Sequence, residues 1–247
     1  MLTIKNTRHV ILLFSFLFLI PSCSGKRATY CPPCEITQVV LPPIDAEPEH
    51  VATPLPAVDD TIKFGDHDWR VLDVEDGKAL LLSEKVIETR PYHLQFESVT
   101  WESSNMRTYL NTGFLQSFSP TDRERILDTK VVNNDNPWYN TIGCGNTTTD
   151  KIFLLNLEEV VQYFGDSGKL KNRPGQDFYF HDQYSQSRIV YDKNGKASWW
   201  WLRSPGDHSL YAAGVNDDGD VYVGGYDVGN FGGIRPALWL NLEPEIF

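Results

Sequence analysis

The chain has 247 residues, carries 22 Lys and Arg against 33 Asp and Glu for a formal charge of −11, and is 41% hydrophobic and 13% aromatic. That apolar content builds a core and excludes a wholly disordered chain. The acidity argues against a nucleic-acid partner, whose phosphates demand clustered Lys and Arg.

Residues 1–23 read as an export leader. Lys5 and Arg8 form a basic start without acids, His9 precedes an apolar run ending at Ile20, and Pro21, Ser22 and Cys23 follow. A basic start, a short apolar stretch and a small residue before the break make a secretory signal. The run is about half the ~20 apolar residues needed to span a bilayer, so no permanent transmembrane helix is expected. Ile20-Pro21-Ser22-Cys23 resembles the bacterial lipobox, with Pro21 a mild departure from its usual Ala, Ser or Thr. The resemblance implies that Cys23 is acylated and becomes the N-terminus; ordinary cleavage nearby, with Cys23 incidental, is the alternative. The acyl chains, at about 0.8 kcal/mol per buried methylene, make the membrane the expected partner and the cell envelope the expected location. Ser24 permits sorting to an outer membrane in a host that has one.

Residues 24–60 hold seven of the fifteen prolines and one aromatic, Tyr30, without helical or strand periodicity. They read as a semi-rigid tether that, at about 3.1 Å per residue, reaches on the order of 100 Å. Cys31 and Cys34 flank two prolines within it. A local disulfide suits an exported compartment. A thioredoxin-like role wants a helix after the first Cys and a surrounding βαβ unit, and neither pattern is present. Zinc wants a second ligand pair at metal spacing, also missing.

Residues 61–247 are predicted to form one α+β domain. Ile62-Lys63-Phe64 opens it, and the runs 67–75 and 79–87 form a hairpin around Asp76-Gly77. Ser103 or Ser104 caps a short helix carrying Met106, Arg107 and Leu110 and closing at Gly113. Ser119, Pro120 and Asp122 start another, through about Leu127. Lys151–Leu155 reads as a buried strand, and Asn156 caps a helix that stops at Gly165. Eight of the eighteen glycines fall between Gly206 and Gly233, where alternating runs flank Asp218-Gly219 as a late hairpin. Residues 234–242 form the final strand. Early helices and late Gly-rich antiparallel strands describe α+β rather than parallel α/β architecture.

Five blocks carry a resemblance: 64–84, 100–126, 150–164, WWLRSPG at 200–206, and 212–225 with GIRPALWLNL at 233–242. Together they resemble a widespread bacterial domain of unknown function found on exported proteins. That family is similar to the C-type lectin-like fold group. The resemblance implies two small antiparallel sheets, short flanking helices, and first and last strands lying together. It implies no activity.

The residues that bear on chemistry are few. Trp199, Trp200 and Trp201 form either a partial ligand platform or core, because alternation along a strand sends neighbours to opposite faces. Arg203, two residues before Pro205, and Arg235, next to Pro236, are ligand clamps or structural arginines on carbonyls and carboxylates. Asn216, Asp217, Asp218 and Asp220 invite calcium, but Gly214 occupies the first ligand position and no Glu closes the set, so a hairpin turn is simpler and no cofactor is expected. Carboxylates at 66, 68, 97 and 102 could pair for glycoside hydrolysis, but among 33 acids nothing separates a catalytic couple from solvated surface, and His67, His93, His181 and His208 are scattered without ligand spacing. The formylglycine-generating enzymes of the same fold group need two active-site cysteines, and Cys144 is the domain's single one. No HExxH, GxSxG or P-loop occurs.

The expected function is therefore a lipid-anchored binding module for a glycan or protein. Trp199, Trp201, Arg203, Asn216, Asp218, Tyr226 and Arg235 are its candidate ligand residues, and residues 204–233 its candidate surface. The alternatives are an enzyme of envelope glycans and a structural block of an envelope assembly; nothing here speaks to oligomeric state. Mass spectrometry of the mature N-terminus should find an acylated Cys23 with nothing before it; an unmodified Cys23 would refute the anchor.

Overall fold

Asp76 and Gly77 close the first hairpin with φ of 47° and 74°. This left-handed pair matches the twist of two-residue hairpins and is open to Asp and Gly at small cost. In the computed structural model, which describes residues 55–139, 141 and 145–242, short strands and short helices alternate from this point. The domain opens with β1 (Thr61–Phe64), β2 (His67–Glu75), β3 (Lys78–Ser83) and β4 (Thr89–Pro91), followed by α1 (Asn105–Tyr109) and α2 (Pro120–Arg125). The middle holds β5 (Thr129–Val131), β6 (Thr148–Asp150), α3 (Leu157–Phe164), β7 (Tyr179–Phe180), α4 (Ser185–Arg188), β8 (Val190–Tyr191) and β9 (Ala197–Ser198). The last third is strand: β10 (Trp200–Pro205), β11 (Tyr211–Val215), β12 (Val221–Asp227), β13 (Phe231–Gly233) and β14 (Ala237–Asn241). All these elements lie in one compact unit, Ala52–Phe247.

The mixed α+β class and its small antiparallel sheets follow the sequence expectation. A four-stranded sheet runs β1-β2-β3-β14, which sets the last strand against β3 of the opening hairpin and leaves the first strand at the opposite edge rather than beside it, and a six-stranded sheet runs β4-β13-β10-β11-β12-β7. Two further ribbons pair β5 with β6 and β8 with β9. One pairing departs from the antiparallel rule: β10 and β13 run parallel, with Trp200 opposite Gly233.

The capping signals read from the sequence operate. The Ser104 side chain accepts from Arg107 N–H and starts α1, which continues through a π turn and a 3-10 turn to Ser117 rather than ending at Gly113. Ser119 caps α2, with Pro120 in the first turn. Asn156 and Glu159 form a reciprocal capping box on α3, which stops at Gly165, φ 112°. The expected strand at Lys151–Leu155 is a correction. Residues 152–155 are buried, but they contribute only a single bridge, Phe153 to Ala237. Arg203 takes the neighbouring carbonyls instead: its Nη1 donates to Leu154 O and its backbone N–H to Leu155 O.

Two backbone bonds, Asp59 N to Val71 O and Val71 N to Asp60 O, start the pairing just before β1, inside the stretch read as tether. The leader, Cys23, Cys31, Cys34, Cys144 and the tether before residue 55 lie outside the described residues. Among the described residues, no helix is long and apolar enough to cross a membrane.

A polar link joins Arg203, on β10, to Glu159, at the start of α3. The two side chains are 2% and 25% exposed and meet through two bonds of 2.5 and 2.7 Å. Glu159→Ala removes both this pair and half the capping box, leaving a buried cation uncompensated. Urea unfolding should show a loss of about 3–5 kcal/mol. Glu75→Ala, which breaks an exposed pair with Lys78, should cost under about 1 kcal/mol.

Candidate functional site

The six-stranded sheet has two unlike faces, and strand register separates them. Trp200 lies opposite Val215, Val215 opposite Val221, and Val221 opposite Phe180. All four are buried, so this row belongs to the core. The adjacent row runs Trp201, Gly214, Tyr222, Tyr179 across the same strands. Because side chains alternate along a strand, it occupies the other face. Here burial falls off outward: Trp201 is buried, Tyr222 half-buried and Tyr179 47% exposed.

A bulge adds to this second face. Gly214 pairs with Tyr222 and Ala212 with Tyr226, so two steps along β11 span four along β12, with Gly225 at φ 81° in the irregularity. The even number of extra residues keeps Tyr226 on the same face as Tyr222. Its ring lies over Gly214, where an added Cβ would come within 3.2 Å of it. Trp199 then stacks on Tyr226, centroids 4.1 Å apart at 30°, and meets Trp201 edge-on at 4.7 Å. Tyr222 meets Tyr226 edge-on at 4.7 Å. Gly232 makes room for the tryptophans: a Cβ there would sit inside the contact shells of the Trp199 ring and Trp201 Nε1.

A polar edge borders the rings. Tyr226 donates its hydroxyl to Asn216 Oδ1 at 2.5 Å. Burial first, then Tyr222, Asp217 and Asp218, pushes the Tyr226 phenol above its ordinary range, so it remains a neutral donor. Asn216 N–H donates to Asp220 O, and Asp218 Oδ1 accepts from Asp220 N–H, which makes residues 216–220 the hairpin turn. Beside it, His181 Nδ1 and Asp220 Oδ1 lie 2.6 Å apart.

Of the residues singled out in the sequence, the structure therefore brings together Trp199, Trp201, Tyr226 and Asn216, with Asp218 in the adjoining turn. It places Arg203 and Arg235 elsewhere. Both are buried, Arg203 bonded to Glu159 and to the Leu154 and Val132 carbonyls, and Arg235 donating Nε–H to Ser83 O between the Trp200 and Phe164 rings. Trp201 lines the floor, its Nε1–H spent on Arg90 O. Tyr179, Tyr222 and His181 were not singled out as ligand residues, and Asp220 was weighed only for calcium, not as the partner of His181. Tyr222 was legible two residues after Asp220, within VYVGGY; the others required knowing that β7 pairs with β12.

Glu158 and Glu159 are engaged in the fold. A groove of about 290 Å³ is lined by Glu158 and Glu159 with Tyr163 and Arg203. Glu159 holds Arg203 and Asn156 N–H, and Glu158 accepts from Asn134. Asp66 and Asp68 share a second groove of about 240 Å³ with His67 and Lys85, whereas Glu97, paired with His93, and Glu102, which holds Asn146, do not join them. Among the described residues, no three of His, Cys, Asp or Glu converge as a metal-binding group.

A family model described as Domain of unknown function (DUF6273) matches residues 76–242. No curated protein and no solved structure matches the chain. Gly232→Ala tests the packing of the aromatic face. The added methyl should cost about 1–3 kcal/mol in urea unfolding and alter the tryptophan near-ultraviolet circular dichroism; an unchanged spectrum would contradict it.

Proposed function

The chain belongs to the DUF6273 family of domains of unknown function, and we propose that it is a lipid-anchored binding module of the cell envelope whose ligand is a glycan. In this reading Cys23 carries the lipid, the Pro-rich stretch provides reach, and a C-type lectin-like domain presents the aromatic face. The return of the last strand, β14, to the sheet begun by the opening hairpin and the mostly antiparallel pairing of the two larger sheets are what support that fold assignment.

The observation that carries the binding reading is the graded row Trp201, Tyr222, Tyr179 with Trp199 and Tyr226 stacked beside it. Tyr179, exposed by 47%, and the half-buried Tyr222, Tyr226 and Trp199, backed by the buried Trp201, would offer an apolar surface to the CH face of a sugar, and the Asn216 edge hydrogen bonds to its hydroxyls. Binding in this reading needs no metal. The reading of a packing block in an envelope assembly draws on Leu94, Phe96 and Phe231, exposed by 72%, 59% and 70%.

A glycan array with the full chain tests the proposal. Binding should persist in a calcium chelator and weaken about 2- to 10-fold in Trp199→Ala and in Tyr179→Ala. Retention by an immobilised second copy of the chain, with no glycan bound, would favour the assembly reading.

A further inference from the structure

We propose that His181, oriented by Asp220, is the hydrogen-bonding anchor of the aromatic face and accepts a hydrogen bond from a hydroxyl of an uncharged pyranose chain lying across Tyr179 and Tyr222. The inference rests on the glycan-binding reading above and names the ligand class.

Register gives the placement. The ladder between β12 and β7 pairs Val221 with Phe180 and Tyr222 with Tyr179. One further step in the same direction brings Asp220 opposite His181, two residues from Tyr222 and Tyr179 respectively. Alternation along both strands sends this pair to the aromatic side. The 2.6 Å contact between His181 Nδ1 and Asp220 Oδ1 agrees with that placement. Across the hairpin, Asn216 N–H donates to Asp220 O at 2.8 Å, and the Asn216 side chain reaches the Tyr226 hydroxyl. A polar row Asn216, Asp220, His181 therefore runs beside the aromatic row.

Hydrogen-bond chemistry gives the role. A carboxylate only accepts, so His181 Nδ1 carries the proton in this contact. In the neutral ring Nε2 is then an acceptor, and fixing one nitrogen fixes what the other offers. Asp220 is 7% exposed at its side chain and His181 73%. A buried group thus holds an exposed one in a set orientation. Among the described residues no group occupies Nε2, so it is available to a donor from outside. A pyranose hydroxyl is such a donor, and the sugar's CH face is complementary to Tyr179 and Tyr222.

Charge narrows the class. Asp217 and Asp218 are exposed at the hairpin tip, close enough to act on the Tyr226 phenol. They add to a chain of net charge −11. One cation, Lys169, donates from its Nζ to the His181 carbonyl. Asp217, Asp218 and Asp220 outnumber it along this edge, so an acidic sugar would meet net repulsion and a neutral one would not.

The experiment is calorimetric titration of the full chain with neutral linear gluco-oligosaccharides, their permethylated forms, and uronate oligosaccharides of equal length. His181 is exposed, so His181→Ala leaves the core intact. The wild type should bind the neutral oligosaccharide best, and His181→Ala should weaken that binding about 3- to 10-fold. His181→Gln, which keeps an acceptor, should recover part of the loss. Permethylation, which removes every donor hydroxyl, should weaken the wild type more than His181→Ala. If His181→Ala binds like the wild type while Tyr179→Ala is impaired, the anchor is refuted and the aromatic reading stands. Equal binding of the uronate overturns the charge argument and with it the ligand class. Absence of binding to every oligosaccharide overturns both the anchor and the reading beneath it.

Discussion

Arg203 is the constraint on which the domain's assembly turns. Its guanidinium is buried on the central strand of the larger sheet and touches segments far apart in the chain: Val132 O, Leu154 O and the Glu159 carboxylate. Burying a cation is costly unless charge and hydrogen bonds replace water. Glu159 provides that compensation and, with the same carboxylate, accepts from Asn156 N–H to start α3. The helix end, the strand and the 150s segment are therefore favourable together and unfavourable apart. Arg188 and Asp182 repeat the device, both fully buried, with two bonds of 2.8 and 3.1 Å. There burial alone would raise the Asp182 carboxyl, but bonds from Arg188, Ser167 and Tyr184 N–H outweigh it and hold the pKa below its ordinary value.

With the strand so fixed, the tryptophan run takes a definite division of labour. Trp200 packs against Phe164 and donates its indole N–H to Arg188 O, while Trp201 packs against Tyr92 on the opposite side. Both are interior because the strand is covered on both faces, the situation in which a strand reads as a continuous apolar run. Trp199 precedes the covered stretch and stays half-buried. The difference between core and candidate site along three consecutive identical residues is thus a matter of what covers each position. Gly214, Gly225 and Gly232 serve the same end, since each lets a backbone or ring approach where a side chain would intrude.

Much of the local structure was legible. The Asp76-Gly77 turn, the Ser104, Ser119 and Asn156 caps and the stop at Gly165 follow from backbone and hydrogen-bond preferences that act within a few residues. The Lys151–Leu155 segment failed as a strand because the carbonyls it needed for a ladder go to Arg203, a residue about fifty positions away. The candidate site was half legible. Trp199, Trp201, Tyr226 and Asn216 came from composition and turn chemistry. Arg203 and Arg235 drew attention as polar residues in apolar motifs, and their burial shows them serving the fold.

By itself, then, the sequence determined the two Asp-Gly hairpin turns, the helix caps, the α+β class and the aromatic supply, because these rest on short-range sterics, capping and hydrophobic alternation. The leader and tether are likewise readings of local composition. Only the tertiary structure decided which aromatics share a face and which polar groups border them. Register between β10, β11, β12 and β7 sets that, and it is a property of strands far apart in the chain rather than of any one of them. Tyr179 and His181 acquire a role only because β7 lies along the edge of β12, where one residue of slip would have turned both to the other side.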